Sequence, residues 1–132
     1  MTDATVTVVI DVPRGSFIKR GDDGSIDFIY PVPCPFNYGH IPGTISDDGD
    51  AADAVVLGSR IRLGASAHTT KQGRINFVDA GLPDPKWICA PAPLSRFQRF
   101  QVTSFFRGYA LAKRAINQLR GKSGVTQYLG WI

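Results

Sequence analysis

Helical periodicity appears only late in this chain, and this limits the folds that the chain can adopt. Over residues 99–119 the apolar side chains follow the i, i+3, i+4 spacing of one helix face, and Gly121 ends the pattern. Before that segment, short runs rich in β-branched residues alternate with turns of glycine and proline, starting with the predicted strand Thr5–Val12. Many short strands and one long helix predict a mainly β fold with α, namely a small, partly open β-barrel of the OB type with the helix packed on it.

The remaining strands are predicted from short apolar runs between turn residues. They fall at 17–20, 25–30, 54–57, 60–65, 73–80, 86–90 and 125–131. Residues 31–43 contain four prolines and two glycines. Because proline cannot donate to a strand ladder, we expect this segment to be a rigid loop that packs over the core and makes little ladder pairing.

Length and composition bound the class of protein. The 132 residues fit a single domain over 1–132, and no stretch approaches the ~20 apolar residues of a membrane span. The N-terminal residues show no signal-peptide pattern, and Cys34 and Cys89 follow no metal or redox spacing, so we expect a cytoplasmic protein with free thiols. The net charge of +4 is compatible with an anionic partner or with a modest surface excess.

The acidic residues point to a chemistry of their own. All eleven are aspartates, and Asp48, Asp50 and Asp53 form a D-x-D-x-x-D pattern directly before an apolar run. Ionised carboxylates at the edge of a buried strand need a cation, and a set of oxygen ligands suits Mg²⁺ or Mn²⁺. A solvated acidic turn is the alternative interpretation.

Two weaker clusters would complete such a site. Asp79 and Asp84 flank a tight loop between two predicted strands, so both could face one cavity, with Lys86 two residues further on. Asp11 ends the first predicted strand, and Lys19 follows it. A strand-terminal aspartate and a surface lysine are ordinary features. Together, however, these residues predict a basin of carboxylates with a cationic rim, which would bind divalent metals and a phosphate-bearing ligand.

Several motifs resemble the soluble inorganic pyrophosphatases of family I, in the order that this family shows. They are DGDAAD (48–53), VVIDVP (8–13), the Ile-Lys pair at 18–19, PFNYG (35–39), DAGLPDPK (79–86) and FFRGY (105–109). The resemblance implies Mg²⁺-dependent hydrolysis of pyrophosphate to two phosphates by a metal-activated water. It also implies a small-molecule substrate, no membrane or nucleic-acid partner, and a homo-oligomer of the kind found as hexamers in bacterial relatives.

The same resemblance assigns roles to individual residues. Asp50 would act as the catalytic base that orients or deprotonates the water. The metal ligands would be Asp11, Asp48, Asp53, Asp79 and Asp84, and the phosphate-binding residues would be Lys19, Tyr38, Lys86 and Tyr109. Mg²⁺ is the expected metal, with Mn²⁺ as a second possibility.

The chain also departs from the family pattern. The lysine that normally follows the helix tyrosine is Ala110, and the arginine expected near 25–29 has no counterpart, so Arg20, Arg107 or Arg114 would have to substitute. Three alternatives therefore stay open: a phosphohydrolase with another substrate, an inactive metal-binding relative, and an OB-type module that binds single-stranded nucleic acid through its basic helix.

Overall fold

Nine strands and one helix make up the computed structural model, which describes residues 5–16, 18–20, 26–29, 34–44 and 51–132. For 18–20 and 26–29 the description covers the backbone alone. The elements are β1 (Thr5–Val12), β2 (Ile18–Arg20), β3 (Ile26–Ile29), β4 (Asn37–Ile41), β5 (Ala52–Val56), β6 (Ser66–Asp79), β7 (Leu82–Pro83), β8 (Lys86–Cys89), α1 (Arg96–Leu119) and β9 (Gln127–Trp131).

Five strands pair in a ring. The order is β1-β4-β5-β8-β6, and the long strand β6 pairs with β8 along one edge and with β1 along the other. β9 pairs with the same edge of β6 as β1 does, further along the strand. β2 and β3 form a separate two-stranded antiparallel sheet. The ring does not close into a regular barrel. The predicted fold, a mainly β, partly open barrel of the OB type with one helix, is confirmed.

The proline-rich segment is not the loop that the sequence predicts. Asn37–Ile41 forms β4, which pairs with β1 on one side and β5 on the other. Pro35 and Pro42 flank these five residues, which leaves every N–H within the strand available for the ladder. At Gly39 a Cβ atom would lie 2.0 Å from the carbonyl oxygen of Val9, so only glycine allows β1 to approach this closely.

The strand predicted at 60–65 is also wrong, because these residues form a loop with a turn at 63–64. The buried side chain of Asn37 accepts hydrogen bonds from the backbone N–H groups of Arg14 (3.0 Å) and Ile61 (2.8 Å), and donates one to the carbonyl of Ser59 (2.8 Å). A side chain from β4 therefore bonds to the N–H of Ile61, which the sequence pattern assigned to a strand ladder.

Strand alternation divides the core between the two faces of the sheet. One cluster, which includes Tyr38, Val55 and Ile88, lies on the face that α1 covers. The residues that alternate with them, such as Ala54 and Cys89, belong to the second cluster. The side-chain period of two therefore determines which polar residues at the strand ends face the helix.

The helix begins three residues earlier than its apolar pattern indicates. Ser95 and Gln98 form a capping box: the Gln98 N–H donates to Ser95 Oγ (3.1 Å) and the Ser95 N–H donates to Gln98 Oε1 (2.9 Å). The inward residues of α1 are Val102, Phe106, Tyr109, Ala110, Lys113 and Asn117. Within the described residues, no helix combines the length and the apolar character that crossing a membrane requires.

Candidate active site

Four strands bring polar side chains to one edge of the helix-covered face. Asp53 lies two residues before the buried Val55 on β5, and Lys86 lies two before the buried Ile88 on the parallel strand β8. Asp79 follows the buried Phe77 by two residues on β6, which is antiparallel to β8. Each is the next residue outward in an apolar row, so the period of two directs all three to the same side.

Lys86 lies at the centre of this group. Its side chain is 1% exposed, and its Nζ donates to Asp53 Oδ2 at 2.6 Å and to Asp84 Oδ2 at 2.7 Å. Tyr38, on the neighbouring strand β4, donates its hydroxyl proton to the same Oδ2 of Asp53 at 3.0 Å. The backbone N–H of Asp84 donates to the carbonyl of Phe77 (2.8 Å), which fixes the turn that carries this carboxylate.

Burial and charge act in opposite directions on these groups. Burial alone would lower the pKa of Lys86, but Asp53 and Asp84 together raise it above its usual value, so the ammonium stays charged. Burial raises the pKa of Asp84, and the adjacent Asp53 carboxylate raises it further against the opposing effect of Lys86. At Asp84, burial and the neighbouring carboxylate therefore outweigh the effect of Lys86 on the pKa.

Asp79 is held separately, from the helix side. Asn117 Nδ2 donates to Asp79 Oδ1 at 2.8 Å, and Lys113 Nζ lies 3.4 Å from Oδ2. Burial would raise the pKa of Asp79, but the Asn117 hydrogen bond and the Lys113 charge hold it below its usual value. This carboxylate is therefore ionised at neutral pH.

The residues before β9 anchor the loop between Asp79 and Asp84. The Gly81 N–H donates to the carbonyl of Val125 (2.8 Å), and the Ala80 N–H donates to Thr126 Oγ1 (2.9 Å). Gly124 has a φ of +103°, and a Cβ atom there would lie 2.5 Å from the Ala80 carbonyl, so the two backbones are in direct contact. The C-terminal segment thus sets the position of two candidate metal ligands.

Asp11 has a different partner. Its Oδ2 lies 2.8 Å from Nδ1 of His40, and His40 stands opposite Asp53 in the β4–β5 register. Both side chains of the pair are about one-third exposed. Asp11 therefore borders the cluster around Lys86.

The other predicted site residues fall into two groups. Tyr109 is buried in an aromatic cluster, with ring centroids 5.5 Å from Phe77 and 5.7 Å from Phe106. Asp48 and Asp50 lie outside the described residues, as does the side chain of Lys19. Among the described residues, no three His, Cys or Asp side chains converge closely enough to hold a metal ion. The residue roles that the resemblance implies remain predictions.

Sequence reasoning missed three polar residues at this edge: His40, Lys113 and Asn117. His40 follows Tyr38 by two residues, and Lys113 follows Tyr109 by four, so each shares a face with a residue that had been singled out. The spacing therefore contained a signal for His40 and Lys113. Reading it requires that β4 be recognised as a strand and that the buried face of the helix be extended beyond Tyr109 to its polar residues.

Comparison with known proteins identifies the family. The family profile for inorganic pyrophosphatase matches residues 8–120. The chain belongs to the inorganic pyrophosphatase family. The resemblance inferred from the motifs is confirmed, and the family is metal-dependent.

Individual members of the family show how far the similarity extends. An inorganic pyrophosphatase from Synechocystis sp. is 30% identical over 96% of this chain and 81% of its own length. One from Gluconobacter oxydans is 36% identical over 65% of this chain and 54% of its own length. The crystal structure of the Thermus thermophilus inorganic pyrophosphatase aligns with 97% of this chain and 82% of its own, with a TM-score of 0.76 and 28% identity.

Proposed function

We propose that this chain hydrolyses inorganic pyrophosphate to two phosphate ions, with Mg²⁺ as the metal and Asp50 as the base. The observation that carries the proposal is the convergence of Asp53, Asp84 and Lys86 at one sheet edge, with Asp79 alongside. Family membership makes the chain a hydrolase of the pyrophosphatase type. The site supplies the two kinds of group that a diphosphate needs, namely carboxylates for cations and cations for phosphate oxygens.

The carboxylates fit a hard divalent cation in both chemistry and charge. Their donors are oxygen atoms only, and because burial and the neighbouring Asp53 carboxylate raise the pKa of Asp84, a bound cation would favour its ionised form. Asp53, Asp79 and Asp84 would hold Mg²⁺ ions together with the predicted ligands Asp48 and Asp11, because no three carboxylates of the described residues converge on one ion by themselves. When bound, the ion would lower the pKa of a water towards ~7 and neutralise phosphate charge.

The protein's own groups would orient the substrate. Lys86 fixes Asp53 and Asp84 relative to each other and keeps a positive charge within the basin. The Tyr38 hydroxyl, which donates to Asp53, limits the rotation of that carboxylate. Lys86, Tyr38, Tyr109 and Lys19 are the proposed phosphate contacts, and Asp50 would accept the proton of the attacking water.

Two further properties belong to the proposal. We place the enzyme in the cytoplasm, where the two buried free cysteines, Cys34 and Cys89, would stay reduced. We also propose that the chain forms a homo-oligomer, and a hexamer is the form expected from bacterial relatives.

The experiment measures phosphate release from pyrophosphate by the purified protein with Mg²⁺ and with a chelator. We expect release that requires the metal and that falls by at least ~100-fold in Asp50→Asn, because a positioned general base contributes on that order. Asp47→Asn, which removes a neighbouring carboxylate outside the D-x-D-x-x-D pattern, is the matched control and should retain activity. Release no faster than the uncatalysed blank would refute the proposal, and release from nucleotides but not from pyrophosphate would assign another substrate.

A further inference from the structure

The inner face of α1 changes character towards its C-terminal end. Up to Ala110 its buried residues are apolar or aromatic, whereas the next two, Lys113 and Asn117, are polar. The Lys113 side chain is only 9% exposed, and its Nζ approaches Asp79 Oδ2 to 3.4 Å. A buried lysine therefore lies directly beside one carboxylate of the site.

Helix geometry directs this lysine back along the helix. Cα–Cβ bonds tilt towards the helix N-terminus, so the Lys113 side chain extends over the preceding turn, which contains Tyr109 and Ala110. Ala110 is buried and carries only a methyl group, so it supplies no charge to this part of the interface. The ammonium that lies beside Asp79 thus comes from the turn after position 110, where the family resemblance places a lysine that this chain lacks.

Core packing does not explain the charge. Burying an ammonium is costly, and an ion pair with one carboxylate often only offsets that cost. An apolar residue at 113 would continue the stripe formed by Val102, Phe106 and Tyr109. The charge is instead retained where the helix borders Asp79, and Asp79 keeps the Asn117 hydrogen bond on its other oxygen.

The two helix arginines that could have compensated for Ala110 face elsewhere, and the side chain of Arg20 lies outside the described residues. Arg107 and Arg114 are both exposed, and Arg114 Nε donates to the carbonyl of Thr126 at 2.6 Å. Lys113 is therefore the cation that α1 directs to the site.

We propose that Lys113 binds a phosphate group of the substrate and replaces, from one turn further along, the cation missing at Ala110. The inference rests on the proposed function. Because Asn117 holds Oδ1 of Asp79, the Lys113 ammonium can contact a phosphate oxygen while Asp79 retains a hydrogen-bond donor.

The test measures binding of imidodiphosphate, a non-hydrolysable diphosphate, in the presence of Mg²⁺ by titration calorimetry. Lys113→Met keeps the unbranched shape and removes the charge. We expect it to weaken binding roughly 10- to 100-fold, since hydrogen bonds to charged groups contribute at that level. Lys113→Arg should restore part of the affinity. Lys122→Met, which removes an exposed lysine just beyond the helix, should change binding less than about two-fold.

The outcomes separate the inference from the function on which it rests. Unchanged binding by Lys113→Met, with a lower unfolding temperature, would overturn the inference and make Lys113 a structural tie to Asp79. If the methionine variant does not fold, Lys113→Gln, which keeps a polar tip towards Asp79, takes its place with the same expected loss. Wild-type protein that neither binds imidodiphosphate nor releases phosphate would overturn the proposed function itself.

Discussion

The two halves of α1 face the same sheet but perform different tasks. In the N-terminal half, Val102 and Phe106 are fully buried, and Phe106 contacts Phe77 edge-on with ring centroids 6.3 Å apart. In the C-terminal half, Lys113 and Asn117 contact Asp79 across the same interface. One helix therefore closes the hydrophobic core and then borders the candidate site.

The buried face of α1 changes from apolar to polar after Ala110, and this shows how one helix can position polar groups precisely. The apolar half fixes the helix against β6, because ring contacts at Phe77 leave little freedom to slide or rotate. The same contacts fix the position of the polar C-terminal half, which carries Lys113 and Asn117, so these residues need no separate anchoring element. Stability and site geometry should consequently respond to different substitutions.

Truncation of Phe106 should have the largest effect on stability. Phe106→Ala opens a cavity in the apolar half, so we expect the free energy of unfolding to fall by about 3–5 kcal/mol in chemical denaturation. Leu119→Gln is the control, because Leu119 is 89% exposed and its loss should change stability by less than about 0.5 kcal/mol. A similar loss of stability in both variants would contradict the division of the helix into an apolar N-terminal half and a polar C-terminal half.

Truncation of Asn117 should have a smaller effect on stability and a clear effect on the site. Asn117→Ala removes the hydrogen bonds to Asp79 Oδ1 (2.8 Å) and Thr126 Oγ1 (3.0 Å), so we expect a loss of about 1–3 kcal/mol. Metal-dependent phosphate release should fall as well, because Asp79 Oδ1 loses its hydrogen-bond donor and, among the described residues, only Lys113 still contacts this carboxylate. Gln118→Ala, at the exposed neighbouring position, should behave like wild type in both assays. Normal activity in Asn117→Ala would show that the polar half does not orient the carboxylate.

The reactivity of the two thiols should report the smallest changes in core packing. Burial raises the pKa of Cys34 and of Cys89 to about 11, so both thiols stay protonated at pH 8 and should react with a thiol reagent only after unfolding. Their contribution to stability is complete below the ordinary value of 9.0 and is lost as the pH rises through about 11.

Comparing the two thiols sharpens this test. Cys34 shares a cluster with Phe106, whereas Cys89 lies in the other cluster. Phe106→Ala should therefore speed the labelling of Cys34 more than that of Cys89. Rapid labelling of either thiol in the native wild-type protein would contradict the burial described above.

Local patterns predicted most elements well, and the failures share one cause. β1 and the helix follow from β-branched runs and from 3.6-residue periodicity, and the capping box at Ser95 was a readable signal for the earlier helix start. One error is the start of β6, which begins at Ser66 rather than at the predicted residue 73 because residues 66–70 pair with β1. The other errors fall on β4 and on residues 60–65. There the outcome depends on Asn37 bonding to distant backbone groups and on Gly39 allowing β1 to approach. Such long-range terms leave no local pattern.

The candidate site shows the same division. The sequence singled out Asp53, Asp79, Asp84 and Lys86 by their positions beside apolar runs and a tight loop, and the fold brings these residues to one sheet edge. It did not reveal that Lys86 lies between two carboxylates or that Asp11 pairs with His40. Those contacts join residues from different strands, and their register is set by the whole sheet.

By itself, the sequence determined that strands precede a long helix and which family the motifs resemble, and it singled out the aspartates as candidate metal ligands. These properties follow from the composition of the chain, the periodicity of its apolar residues and the spacing of its motifs. Only the tertiary structure decided which charges meet, because salt bridges such as Lys86 with Asp53 and Lys113 with Asp79 join residues more than thirty positions apart. Their distances depend on strand register and on the rotation of α1, which are fixed by packing that no short stretch of sequence contains.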